Sequence, residues 1–384
     1  MASTLTLEIL NRLIGFDTTS AKSNLELLAY VRQYLADCGV ESHLVFNDEQ
    51  SKANLYATIG PVDKPGIMLS GHTDTVPVAG QNWSKNPYQL SEDNGRYYGR
   101  GTTDMKAFLA VVLAAVPALC QRELHTPIHL AFSYDEEIGC IGVRRLIETM
   151  QGHPVKPAIC IIGEPTLMQV VTSHKGKLAA RVSVRGKECH SGMAPHGVNA
   201  VNYAARLVCW LENLAGEKAR QGPFEEGGEI PYSTVHTGTI SGGTALNIVP
   251  KLCSFDFEIR NVAADDPQQM LSEFSAYAAE LSREMQQTYS DTGIDIAVLT
   301  EYPGLKTTDD LAAIEFVKSL THGETGSINF GTEGGLFSRE LNVATLVCGP
   351  GSMEQGHKPD EYIHVDQIER CERFMLNLIA KVSG

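Results

Sequence analysis

Short apolar runs of strand length recur along the chain: ANLYATIG at 53–60, GIMLSG at 66–71, PIHLAFS at 127–133, AICIIG at 158–163 and VATLVCG at 343–349. Helical patterns alternate with them, near 4–16, 23–38, 105–120, 141–150, 309–321 and 366–382. Most of these runs are separated by helices, which calls for crossover connections rather than a meander of hairpins. They predict an α/β fold built on a mostly parallel, mixed sheet.

The texture changes between 177 and 290. There the order is strand (LAARVSVRG), helix (NAVNYAARLVCWLENL), two strands (STVHTGTISG, LCSFDFEIR), helix (DPQQMLSEFSAYAAELSREMQQ) and a last strand near DIAVLTEY. That βαββαβ succession is the ferredoxin-like α+β arrangement, which can fold as its own layer. The expected organisation is a first domain made of 1–176 and 291–384, with 177–290 inserted between its halves.

Composition narrows the function classes. A length of 384 residues suits two domains, and 43% hydrophobic with 20% charged residues is ordinary for a globular chain. The net charge of -15 argues against nucleic acid, whose phosphates require clustered Lys and Arg. Nine scattered cysteines without a C-x-x-C pair predict reduced thiols in a cytoplasmic protein. The N-terminal stretch lacks the basic and apolar regions of a signal peptide. FLAVVLAAVPALC at 108–120 reads as too short for a membrane span and as broken by Pro117.

The ends of the apolar runs carry the chemistry. GIMLSG leads into His72 and Asp74, PIHLAFS into Glu136 and Glu137, AICIIG into Glu164, and VATLVCG is followed by His357. Asp104 stands before an apolar helix. Taken singly, each has an ordinary explanation, as an N-cap for Asp104 or a turn residue for Asp74 and Glu164. Together they form one set, because ligands of open α/β sheets bind outside the carboxyl ends of the strands. Imidazoles and carboxylates without thiolate suit zinc, cobalt or manganese. Two histidines and three carboxylates suffice for a metal pair sharing one carboxylate, about 3.5 to 4 Å apart. In an extended segment His72 and Asp74 point the same way, so Asp74 is placed to accept from the ring nitrogen turned away from metal. Glu136 and Glu137, as neighbours in an extended segment, project oppositely and are expected to differ in role. No G-x-S-x-G elbow, H-E-x-x-H helix, P-loop or G-x-G-x-x-G fingerprint occurs. The glycines of GTEGG and GPGSMEQG read as loops.

The series SGHTDTVP, YGRGTTDMK, DEEIG, GEPT, GKECHSGMAPHGVNA, LNIVP and GHKPDEY resembles, in content and order, the M20 family of metallopeptidases and amidohydrolases. The resemblance implies two divalent ions, zinc or cobalt, with Asp104 bridging them. His72 and Glu164 would complete one site, and Glu137 and His357 the other. It makes Glu136 the general base toward a water held between the ions and Asp74 the orienter of His72. It implies a homodimer formed through the inserted domain, which also closes over the substrate. There His190 would polarise the scissile carbonyl in the partner's site, with His196 a lesser candidate, and Asn247 and Arg260 would hold substrate. The stretches IGFDTTS, INFGTEGGLFS and VCGPGSMEQGHKPDEY resemble members that hydrolyse N2-acetyl-L-ornithine to L-ornithine and acetate. Glu333 would then favour an ammonium-bearing substrate. Alternatives within the family are a desuccinylase for succinyl-diaminopimelate, a general aminoacylase or a dipeptidase. Outside enzymes, the alternative is a metal-dependent binding protein, which would have no use for Glu136.

Overall fold

A computed structural model describes residues 2–225, 230–307 and 309–384, and the chain divides into two compact units. One comprises the chain up to Ser173 together with Leu305–Gly384; the other is His174–Gly304.

The first unit is organised by a nine-stranded mixed sheet. Its middle is parallel: Ile67–His72 lies between Ile128–Ser133 and Ile159–Pro165, and the latter pairs in parallel with Ala344–Gly349. Every residue of Ile67–His72 and Ile128–Ser133 is buried, so these strands read in sequence as unbroken apolar runs without alternation. Register pairs His72 with Ser133, and Gly349 with Pro165. The carboxyl ends of four strands therefore share one edge of the sheet. Antiparallel strands Ala53–Ile59 and Ser42–Phe46 extend it on one side.

The helix Ala107–Cys120 is buried against Thr4–Ile14 and Val365–Val382. Two glycines let the segment that begins it approach the sheet. A Cβ on Gly71 would lie 2.6 Å from Met105 Cε, and one on Gly163 would lie 2.0 Å from the Phe108 ring. These glycines immediately precede His72 and Glu164. Only their bareness allows the Thr102–Phe108 stretch to lie over both strand ends.

Three expectations need correction here. Pro117 does not break the helix, which runs on past it to Cys120. With the preceding turn joined to it, Thr102–Cys120 is long and apolar enough to cross a membrane, yet 72% of its most apolar window is buried inside the unit, as in a core helix. The glycines of GTEGG are not wholly loop, because Gly334 and Gly335 open the helix Gly334–Leu341. A small antiparallel sheet of Ser91–Asp93, Arg96–Tyr98 and Tyr362–His364 ties the segment after His357 to the segment before Asp104.

The second unit is a four-stranded antiparallel sheet in the order Thr234–Gly242, Leu252–Arg260, Lys177–Arg185, Gly293–Tyr302. It carries two helices, Ala200–Gln221 and Pro267–Thr288, capped by Asn199 and Asp266. Leu207, Leu211, Phe274 and Leu281 from the helices pack on Val182, Phe255 and Phe257. The arrangement is ferredoxin-like. The unit runs to Gly304 rather than 290, because Gly293–Tyr302 pairs with Lys177–Arg185.

Candidate metal centre

Asp104 lies in the tight turn Thr102–Lys106 with φ -126° and ψ 88°, outside helical geometry. It is therefore not the N-cap of the following helix, a position taken by Lys106. Its carboxylate points both ways: Oδ1 is 3.0 Å from His72 Nε2, and Oδ2 is 3.1 Å from His357 Nε2. His72 Nε2 also lies 3.4 Å from Glu164 Oε1, and His357 Nε2 lies 2.9 Å from Glu137 Oε2. Two trios, His72/Asp104/Glu164 and His357/Asp104/Glu137, thus share one carboxylate.

The charges in this cluster do not balance. Glu164 and Asp104 are buried, and the Glu137 side chain is 6% exposed, its Oε1 without a hydrogen-bond partner among the described residues. Burial and then the neighbouring Asp104 charge push Glu137 and Glu164 up to about 7. Burial and then Glu164 hold Glu136 well above the carboxylate range. Burial would lower His72, but the Glu164 charge and its bonds to Asp104 raise it well above its ordinary value. Hydrogen bonds to Asp104 and Glu137 raise His357 to about 10. Two imidazoles are too little positive charge for so many buried carboxylates, and a divalent ion in each trio would supply it. The donors are nitrogen and oxygen alone, which fits zinc, cobalt or manganese.

Glu136 and Glu137 reach different neighbours, but not by strand alternation. The segment after Ser133 is not extended: Asp135 takes φ 54°, and the Glu136 carbonyl accepts from the N–H groups of Gly139 and Cys140. This turn sends the Glu137 carboxylate toward His357. The Glu136 carboxylate stays within 4.8 Å of ligand atoms of His72 and Glu164. The buried Cys140 thiol, 3.5 Å from Glu136 Oε1, donates to it.

Asp74 meets the His72 ring chiefly through its main chain, not through the carboxylate expected to accept from it. His72 Nδ1 is 2.9 Å from the Asp74 main-chain oxygen and 3.5 Å from its carboxylate Oδ1, so the carbonyl is the nearer acceptor. The carboxylate instead accepts from Ser20 Oγ at 2.7 Å and from the N–H groups of Glu136 and Glu137 at 3.2 and 3.3 Å. Burial would raise Asp74, but His72 and these donors hold it below the usual range. Asp74 thereby places the turn that carries both glutamates. Ser20 and Cys140 were not singled out from sequence, although they lie in or beside IGFDTTS and SYDEEIG.

Glu333 stands at the N-terminal boundary of Gly334–Leu341 at 1% exposure, and among the described residues neither carboxylate oxygen has a hydrogen-bond partner. Burial pushes it up to about 8; the Ser133 hydroxyl lies toward it, without completing a hydrogen bond.

The other candidates belong to the His174–Gly304 unit. His190 and Asn247 are brought onto adjoining loops, where Ser191 N donates to the Asn247 carbonyl at 2.9 Å and His190 bridges Ile248. His190 Nδ1 accepts from Gly192 N at 3.1 Å, which leaves Nε2 as the protonated nitrogen. His196 ends the Ser191–His196 turn and is exposed. Arg260 donates to Glu258 through Nε and Nη2 and to the Tyr302 hydroxyl through Nη1. Among the described residues these bonds use three of its five N–H donors.

Comparison with known proteins agrees with this geometry. Residues 68–381 match the model of Peptidase family M20/M25/M40. A protein of Pasteurella multocida called acetylornithine deacetylase is 31% identical over 98% of this chain and 97% of its own. One of the same description from Myxococcus xanthus is 32% identical over the same shares. Among solved structures, an M20 family metallo-carboxypeptidase, Sso-CP2 of Sulfolobus solfataricus, superposes with a TM-score of 0.78 at 20% identity, covering 98% of this chain and 99% of that one. The aminopeptidase PepT of Bacillus cereus superposes at 0.75, again with 20% identity and 98% of both chains. With a cluster able to hold two metal ions and a family match over most of its length, the chain belongs to peptidase family M20/M25/M40 and is a hydrolase.

Proposed function

We propose that this enzyme hydrolyses N2-acetyl-L-ornithine to L-ornithine and acetate, a step of arginine synthesis in the cytoplasm, where its nine free thiols stay reduced. The observation that carries the hydrolytic reading is Asp104, whose two oxygens each serve a separate histidine and carboxylate. Asp104, His72 and Glu164 would hold one ion, and Asp104, Glu137 and His357 the other, with zinc or cobalt as the expected metals. Bound there, such ions supply Lewis acidity toward the amide carbonyl and lower the pKa of water.

The remaining work falls to side chains. Glu136, whose burial raises its affinity for protons, accepts one from the attacking water as the O–C bond forms. It passes that proton to the departing amine nitrogen as the C–N bond breaks, so acetate and free ornithine leave with the base restored. Cys140 fixes the carboxylate by its thiol hydrogen bond, and Asp74 fixes the turn beneath it. His190, with Nε2–H free, is assigned to polarise the carbonyl across a homodimer formed through the inserted unit. Asn247 and Arg260 are assigned to the substrate carboxylate.

The substrate assignment is supported by the names of the relatives and by Glu333. A buried carboxylate with no partner among the described residues would pair readily with an ammonium and would oppose a second carboxylate on the acyl group. The test is a panel of N-acetylornithine, N-acetylmethionine and succinyl-diaminopimelate with zinc or cobalt added. Acetate release fastest from acetylornithine, with the preference lost in Glu333→Gln, supports the assignment; equal rates over all N-acetyl amino acids would make this a general aminoacylase. Glu136→Gln should keep both ions by elemental analysis and lose roughly 10³-fold in kcat. Loss of metal in that variant, with metal retained in Glu137→Gln, would reverse the two roles.

A further inference from the structure

Arg100 and Glu361 form an ion pair that neither catalysis nor metal binding uses directly. Both side chains are 1% exposed, and Arg100 Nη1 lies 2.6 Å from Glu361 Oε2. The same Oε2 accepts from Gly101 N at 3.0 Å, while Oε1 accepts from Thr103 N at 2.9 Å and Asp104 N at 3.2 Å. One carboxylate therefore gathers the backbone amides of the turn that presents Asp104. Glu361 itself stands four positions after His357.

The arginine reaches the histidine as well. Its Nη2 donates to Gln81 Oε1 at 2.5 Å, and Gln81 Nε2 donates to the His357 main-chain oxygen at 3.0 Å. The guanidinium lies over the Trp83 ring at 4.9 Å, and Trp83 Nε1 donates to the same Gln81 oxygen at 3.0 Å. Asp104 and His357 are thus joined twice behind their side chains, once through Glu361 and once through Arg100 and Gln81.

The two trios depend on this link unequally. His72 and Glu164 ride on strands whose neighbours fix them by main-chain ladders. His357 sits in an irregular segment, with φ 61° and its side chain 46% exposed. Its distance from Asp104 is set by the bonds that tie that segment to the turn carrying Asp104.

We propose that Arg100 and Glu361 are positioning residues that hold Asp104 against His357 and so set the affinity of the Asp104/Glu137/His357 ion site, leaving the His72/Asp104/Glu164 site to the sheet. The proposal rests on the two-ion reading given above. Glu361→Gln turns an amide group toward donors that need an acceptor, so the link opens while size is kept.

The experiment is zinc uptake by the full-length chain, freed of metal and titrated by equilibrium dialysis, with zinc measured by elemental analysis. In Glu361→Gln the tighter ion should bind as in the wild type and the weaker one about 10- to 100-fold less well. Gln81→Ala, at a half-buried site that need not disturb folding, should shift the same step in the same direction by less. Asp360→Asn loosens the same segment through its contacts with Ser84 and Lys85 and should leave both steps alone. Equal weakening of both ions, unchanged uptake in Glu361→Gln, or the same selective loss in Asp360→Asn would overturn the proposal. Should Glu361→Gln not fold, Gln81→Ala decides alone: selective loss of the weaker ion supports it, and unchanged uptake overturns it. A wild-type chain that takes up fewer than two ions defeats the two-ion reading, and this proposal falls with it.

Discussion

The two units bury opposite things. In the His174–Gly304 unit the sheet strands alternate, as in KLAARVSVR, whose buried residues are Leu178, Ala180, Val182 and Val184. Its core is apolar, and its sheet-face ion pairs, such as Arg181–Asp256 and Arg185–Asp295, stand in solvent. In the other unit the parallel strands are apolar throughout, and the buried charge collects where they end: His72, Asp74, Asp104, Glu164, Glu333, Arg100 and Glu361. Burying charge costs stability unless it is paired or meets a cation. The second unit therefore rests mainly on apolar packing, with Lys218–Asp265 a half-buried pair, whereas the first gathers an excess of buried carboxylates that a cation would offset.

The sharpest way to break this contrast is Phe274→Ala. Phe274 is 1% exposed and packs edge-on against Phe257 at 5.1 Å and beside Trp210 at 5.4 Å. Its truncation should cost about 3 to 5 kcal/mol in denaturant unfolding. Zinc content of the molecules that remain folded should not change. A loss of bound zinc in step with the loss of stability would mean that the two units do not divide the work as described.

A smaller effect is expected from pH on the metal-free chain. Glu137 and Glu164 have folded values of about 7 against an ordinary 4.5. A carboxyl raised on folding contributes stability fully below its unfolded value, and loses it as pH rises through the folded one. His72 and His357, also raised, act in the same sense at higher pH, His357 up to about 10. The chelated protein should therefore melt a few degrees lower, roughly, at pH 8 than at pH 5. Saturating zinc should flatten the dependence by replacing protons as the counter-charge. A metal-free melting temperature that climbs between pH 5 and 8 would contradict the sign.

Much of this was legible in the sequence for a definite reason. Strand ends in a parallel sheet share an edge, so His72, Glu136, Glu137, Glu164 and their neighbours could be collected without knowing any loop conformation. Alternation made the inserted unit legible in the same way. What escaped depends on loops. The division between Glu136 and Glu137 comes from a turn with Asp135 at φ 54°, not from strand alternation. The three-residue strands Ser91–Asp93, Arg96–Tyr98 and Tyr362–His364 are too short to show a period. The helix Gly334–Leu341 hid behind two glycines that read as loop. Arg100 and Glu361 meet across 261 positions, and a charge in a loop ordinarily signals solvent.

The smallest effect sets two arginine pairs side by side. Arg181 grips Asp256 with two bonds of 2.7 Å, a better fork than the single 2.6 Å bond between Arg100 and Glu361. Geometry alone would rank the Arg181 pair higher. Its arginine side chain, however, is 55% exposed, so water and salt screen the attraction and either partner is easily solvated when left alone. Loss of Glu361 would instead leave a buried guanidinium without its counter-charge and three backbone amides without their acceptor. Arg181→Ala should accordingly move the melting temperature by no more than about a degree, and raising the salt to about 1 M should erase even that. A shift comparable to that of Glu361→Gln would show that bond geometry, rather than burial, decides what these pairs contribute.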